Sequence, residues 1–311
     1  MSDTCSRHPE YEDDFYTLNG VYECPDYIEL DGKEIVLSSP QNLPQMGNRF
    51  QNIHSGLYMV GELDFDTGRF RVDKIGELDN GFDFYAAQTL RMPDGRVIMI
   101  AWKEMWDRNY PTQEEGWAGT YSFPREFRMD GDQLIQKPAR ELDAFCKNRI
   151  SCPMLYVNAF EEGKKENAPS TDSLCAESSV PGVRGNVARI RFTLEPGTAA
   201  RSGIKLFCGK EHETVICYDR EEGVVVIDRT RSGIPFKGKD SVNVRKCNIG
   251  SKTSLEMELL LDVSSLEVFI DGGRHVMTAN VYPDLEDVEI RFFAEGGSTA
   301  FRDIEKYDVI V

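Results

Sequence analysis

The sequence predicts an all-β protein in two parts. Short runs rich in Val, Ile, Leu, Phe and Tyr recur along its length, and most of them stop at Gly, Pro, Asn or Asp. No segment sustains an apolar period of 3.6 residues over three turns. The chain has 311 residues, of which 40% are hydrophobic. That is more than one ordinary core and enough for two.

The elements follow in order. Ile35–Leu37, Leu57–Leu63, Arg69–Val72 and Val97–Trp102 read as strands of the first part. Val187–Leu194, Val224–Asp228, Leu255–Leu261 and Glu267–Ile270 read as strands of the second. Asp66-Thr67-Gly68 and Asp271-Gly272-Gly273 each sit between two apolar runs, as hairpin turns do. Asp94-Gly95 and Asp130-Gly131 mark two more. The spacing Asp64-x-Asp66-x-Gly68 opens like a calcium loop but lacks the closing Glu, so it is read as a turn. The polar stretch 161–179 reads as a loop or linker. All three Trp residues precede it, and evenly spaced strands without Trp follow. The expected division is residues 1–148 and 155–311. The second part has the texture of an antiparallel sandwich, and the first is compatible with degenerate propeller blades.

Charge and composition exclude several functions. There are 53 Asp+Glu against 36 Lys+Arg, a formal net charge of −17. Neither a nucleic-acid backbone nor an anionic membrane surface suits such a chain. No apolar stretch approaches the ~20 residues of a membrane helix. Met1-Ser2-Asp3-Thr4-Cys5 does not open a signal peptide, so a cytoplasmic location is expected. The eight cysteines include no Cys-x-x-Cys pair and read as reduced thiols. Four scattered histidines give no metal-type spacing, and no metal or cofactor is expected.

Three stretches hold candidate chemistry. In Val21-Tyr-Glu-Cys-Pro-Asp-Tyr27, Glu23 stands among aromatic rings. Desolvation there would raise its pKa, as a general acid near neutral pH requires; a solvated turn is the plainer alternative. In Leu78-Asp-Asn-Gly-Phe-Asp-Phe-Tyr-Ala-Ala-Gln-Thr89, strand alternation would send Asp83 and Tyr85 to one face. With Gln88 they would suit sugar hydroxyls, or serve as ordinary buried polar partners. Trp102 and Trp117 stand beside small residues, either as platforms for the apolar face of a sugar or as core. Arg125-Glu126 could form a structural ion pair.

These stretches, in this order, resemble glycoside hydrolase family 32, the invertases, sucrose-6-phosphate hydrolases and fructanases. Tyr22-Glu-Cys-Pro-Asp26, Asp83-Phe-Tyr-Ala-Ala-Gln88, Gly116-Trp-Ala-Gly119 and Phe123-Pro-Arg-Glu126 carry the likeness in the first part. Ile227–Gly233, Leu261–Ile270 and Phe293–Gly297 carry it in the second. The resemblance implies the C-terminal part of a five-bladed β-propeller followed by an antiparallel β-sandwich. It implies retaining hydrolysis of sucrose or another β-fructofuranoside, with Glu23 as acid/base and Asp83, Tyr85 and Trp102 near the substrate. It also implies two further acidic residues, in Asn-Asp-Pro-Asn-Gly and Arg-Asp-Pro motifs. Neither motif occurs here, and there is no Asp-Pro dipeptide at all. Phe301-Arg302-Asp303 followed by Ile304 resembles the second by coincidence. The expectation is that N-terminal blades bearing the nucleophile are missing from this sequence, or that a separate N-terminal fragment supplies them. A non-catalytic protein that binds fructan or another protein is the remaining reading.

Overall fold

The computed structural model describes residues 21–159, 175–239 and 241–311. They fold as two compact units. The first gathers the described residues up to Leu142 with Phe236–Ser241 and Gly272–Asn280; the second holds Asp143–Pro235, Val242–Asp271 and Val281–Val311. Two segments late in the sequence thus belong to the first unit.

The first unit contains β1 (Tyr22–Leu30), β2 (Lys33–Pro40), β3 (Leu57–Asp64), β4 (Arg69–Glu77), β5 (Tyr85–Arg91), β6 (Val97–Trp102), β7 (Arg108–Asn109), β8 (Arg125–Asp130) and β9 (Gln133–Pro138). β1-β2-β3-β4 form one four-stranded antiparallel sheet and β5-β6-β8-β9 another. This is the up-and-down build of propeller blades. The turns expected between them are present. At Asp66-Thr67-Gly68, the Asp64 carboxylate accepts the N–H groups of Asp66 and Thr67, and Gly68 takes a φ of 68°.

Alternation explains the core. Ile28, Ile35, Leu37, Tyr58 and Val60 leave one face of the first sheet. Ala87, Val97, Met99, Phe127 and Leu134 leave the facing side of the second, in the same buried cluster. Each large side chain so buried is worth about 1.5–3 kcal/mol. The opposite face of the first sheet carries Val36, Met59, Phe70 and Val72, roofed by Leu43 and Phe50 from the loop between β2 and β3. Arg125 and Glu126 do not pair with each other. Neighbours on a strand point to opposite faces: Arg125 turns inward to Asp79, and Glu126 turns outward to Arg96 and Arg140.

The second unit holds β10 (Cys146–Asn158), β11 (Cys175–Ser178), β12 (Ala188–Glu195), β13 (Arg201–Cys208), β14 (Glu213–Asp219) and β15 (Val224–Arg231). β16 (Lys237–Gly238) belongs to the first unit and pairs with β7. β17 (Val244–Asn248), β18 (Leu255–Asp262) and β19 (Ser265–Ile270) return to the second. β20 (His275–Asn280) belongs to the first, and β21 (Glu289–Glu295) and β22 (Ser298–Val309) close the second. One sheet of the second unit runs β10-β22-β12-β18-β19 and the other β11-β21-β13-β14-β15-β17. Phe192 and Phe301 of the first meet Phe292 of the second edge to face, at centroid distances of 5.7 and 4.8 Å, as the core of a sandwich.

The polar stretch read as a linker lies mostly outside the described residues, and its end corrects that reading. Cys175–Ser178 is a strand, paired in register with Phe292–Glu295. Ladder hydrogen bonds hold it in spite of its polar composition. The seven described cysteines are all free thiols.

Candidate active site

Glu23 sits on β1, where the ladder with β2 slips between Glu23 and Asp26. Cys24 takes a φ of 48° inside this bulge. A bulge bends the strand and re-aims the side chain beside it. β1 and β5 are stitched together here. Asp26 Oδ2 accepts both the N–H and the Oγ1–H of Thr89, each at 2.7 Å, and Gln88 Nε2 donates to the Cys24 carbonyl at 3.1 Å. The half-buried Glu23 thereby meets Tyr85, the first residue of β5. The Tyr85 hydroxyl lies 3.0 Å from Glu23 Oε2 and 2.7 Å from the Ser39 carbonyl oxygen. Burial, and then the Glu23 carboxylate, push the Tyr85 phenol well above its ordinary range.

Aromatic rings extend the site. Trp106 packs edge-on against Tyr85 at 5.0 Å and stacks on Trp102 at 5.8 Å with 15° between the planes. His54 lies 4.6 Å from Trp106 and 5.6 Å from Tyr85. His54 Nε2 is 2.7 Å from Asp107 Oδ2. That contact, then Lys239, holds the Asp107 carboxyl below the usual range. Trp106 is half exposed, so a flat apolar surface beside Glu23 faces solvent.

Asp83 is placed differently from Tyr85. The two do not alternate on one strand, because β5 begins only at Tyr85 and Asp83 lies in the bend before it. Asp83 is fully buried. It pairs with the equally buried Arg108, accepts from Tyr110 Oη at 3.4 Å and takes the Asn280 N–H at 2.8 Å. Asp79 forms a parallel anchor. It accepts the N–H of Gly81 and both the N–H and hydroxyl of Thr278, and pairs with Arg125 at 3.0 Å. Burial pushes the Asp79 carboxyl up, while Arg125 and Thr278 pull it back. Gly81 is required here, since a Cβ on it would stand 2.1 Å from the Thr278 carbonyl oxygen.

The structure therefore brings Glu23, Tyr85 and, through Trp106, Trp102 into one cluster. It seats Asp83 in the network that fastens β20. Trp106 and His54 were missed as site residues. The Trp106 ring was visible in the sequence; its neighbours were not. His212, Asp284 and Asp287 converge from two distant loops of the second unit. His212 Nδ1 is 2.7 Å from Asp287 Oδ2 and 3.8 Å from Asp284 Oδ2. A histidine–carboxylate hydrogen bond accounts for the close pair.

Blade-type sheets that bring a carboxylate, a phenol and stacked indoles together, followed by a β-sandwich, are the two-part build of a glycoside hydrolase family. The chain belongs to glycoside hydrolase family 32. Residues 4–138 match the model of the "Glycosyl hydrolases family 32 N-terminal domain", and residues 157–308 match that of the "Glycosyl hydrolases family 32 C terminal". Among relatives, it is 28% identical over 293 residues to the sucrose-6-phosphate hydrolase of Zymomonas mobilis, covering 92% of this chain and 53% of that protein. The solved β-fructofuranosidase BmSUC1 of Bombyx mori is 29% identical, with a TM-score of 0.67, covering 93% of this chain and 54% of that one. The solved sucrose-6-phosphate hydrolase of Lactobacillus gasseri shares the fold at 22% identity and a TM-score of 0.75, again covering 93% and 54%. The chain spans about half the length of the curated relatives it matches.

Proposed function

We propose that this chain carries the acid/base half of a retaining β-fructofuranosidase site, with Glu23 protonating the oxygen of the departing sugar. The contact between Glu23 and the Tyr85 hydroxyl carries the reading. A phenol at that distance fixes one carboxyl oxygen and leaves the other for the substrate. Trp106 and Trp102 supply an apolar platform for a sugar ring such as that of sucrose. Asp83 holds the floor through Arg108 and β20 rather than by meeting solvent.

Retaining chemistry needs a second carboxyl group about 5–5.5 Å from the first, to attack the anomeric carbon. The family's nucleophile motif is not in this sequence. The proposal is therefore a half-site, completed by a polypeptide that bears that motif. The test is a fusion that places the part of the Zymomonas mobilis relative not covered by this chain in front of it. The fusion is expected to release glucose and fructose from sucrose, and the 311-residue chain alone is not. Glu23→Gln should lower turnover of the fusion by roughly 10²–10⁴-fold. A fusion that turns over equally well with Gln at position 23 overturns the assignment.

A further inference from the structure

We infer that His212, Asp284 and Asp287 form a binding site for a divalent transition-metal ion, which clamps two neighbouring strands of the second unit. β13 ends at Cys208 and β21 begins at Glu289, and the ladder pairs these two residues. The turn after Cys208 and the turn before Glu289 therefore leave the sheet at the same end. Each turn is closed by its own backbone. The Gly209 N–H donates to the His212 carbonyl at 3.1 Å, and the Asp287 N–H donates to the Asp284 carbonyl at 3.0 Å. Strand pairing thus brings one imidazole to a carboxylate 75 positions away, a convergence that no local spacing announces.

The donors are spread as an ion needs them. The three ligand atoms lie within 4.8 Å of one another. His212 Nδ1 stands 2.7 Å from Asp287 Oδ2 and 3.8 Å from Asp284 Oδ2. Nitrogen and oxygen donors held at about 2.0–2.2 Å around a tetrahedral or octahedral ion stand about 3–3.5 Å apart, close to this spread. Gly209 keeps the space clear. A Cβ on it would stand 1.5 Å from Asp287 Oδ1 and would evict the carboxylate.

Charge supplies an independent argument. The Asp287 side chain is only 9% exposed. A buried carboxylate is normally paired with a cation or bound to a metal. Among the described residues, neither Asp287 nor Asp284 pairs with a Lys or Arg; the cation-capable partner of both is His212. Two carboxylates against one imidazole leave negative charge even when the imidazole is protonated. A divalent ion supplies the missing positive charge. Without an ion, the Nδ1 hydrogen of His212 bridges to Asp287. The ion takes the place of that hydrogen, and the neutral imidazole keeps its one hydrogen on Nε2. An imidazole nitrogen among the donors favours Zn²⁺, Co²⁺ or Ni²⁺ over Ca²⁺ and Mg²⁺, which prefer oxygen alone.

The experiment uses the whole 311-residue chain without a polyhistidine tag, stripped with a chelator and kept reduced. Co²⁺ is titrated in and followed by absorption. One equivalent is expected to bind with visible d–d bands and without the near-ultraviolet band of a cobalt–thiolate bond. Saturating Zn²⁺ should raise Tm. His212→Gln keeps an N–H for Asp287 and removes the imidazole. Asp284→Asn changes a side chain that is 74% exposed, so the metal-free chain should keep its Tm. Each substitution should weaken Co²⁺ binding by roughly 10-fold or more and reduce the Zn²⁺ effect on Tm. Absence of binding overturns the site, as does binding that either variant leaves unchanged. A thiolate band places the ion on cysteine and overturns it too. Displacement of Co²⁺ by an equal concentration of Ca²⁺ reduces the cluster to a patch of surface charge and overturns the assignment.

Discussion

The Tyr85 hydroxyl stands 3.0 Å from Glu23 Oε2 and 2.7 Å from the Ser39 carbonyl, with one hydrogen to offer them both. Through this one ring on β5, the Glu23 carboxylate on β1 and the Ser39 carbonyl on β2 are held at a common point.

Tyr85→Phe removes both contacts at a buried position. We expect a stability loss of about 0.5–1.5 kcal/mol, read by denaturant unfolding. In the active fusion, kcat should fall by about 10-fold with little change in KM, because Glu23 loses its support and the sugar platform remains. An unchanged kcat would remove Tyr85 from the site.

Arg125→Met strands Asp79 in the interior, where Thr278 and Gly81 also hold it. A loss of about 3–5 kcal/mol is expected. Adding Asp79→Asn removes the stranded charge and keeps an acceptor for the N–H groups, so part of the loss should return. A double variant less stable than the sum of the singles would contradict this account.

Glu77 makes stability depend on pH. It accepts the Phe50 N–H at 2.8 Å, and burial pushes its carboxyl up from 4.5 to about 7. The folded state holds this proton longer than the unfolded one. Stability from this group is therefore full below about pH 4.5 and is lost as pH rises toward 7, by roughly 2–3 kcal/mol. Subtracting the Glu77→Gln unfolding profile from that of the wild type should reveal this slope; a flat difference would refute it.

Trp106→Ala deletes a half-exposed ring from the platform. We expect sugar affinity in the fusion to fall by about 10-fold while stability changes by less than about 1 kcal/mol. Tryptophan fluorescence on titration with sucrose provides the readout.

Much of this architecture was legible in the sequence. Alternation and turn residues located the strands at Leu57, Arg69, Val97 and Leu255, because side-chain period and turn chemistry are local properties. Glu23 was legible through its neighbours in the chain. Contacts made across the fold were not. Nothing local announces that Trp106 bridges Tyr85 and Trp102, that His54 joins them, or that Asp83 lies one bend short of its strand. The strand at Cys175–Ser178 was hidden because pairing with β21, not its own residue types, makes it a strand.

The return of β20 bears on how the molecule is made. Asp79 waits for Thr278, 199 positions later, and Asp83 for Asn280, 197 positions later. As the ribosome extends the chain, the blades can form their ladders early, yet the two buried acids beneath the site lack these partners until the sandwich strands have mostly been translated. The nascent chain must pass through that interval with costly interior charges incompletely compensated. Release from the ribosome before residue 280 should yield blades that never lock.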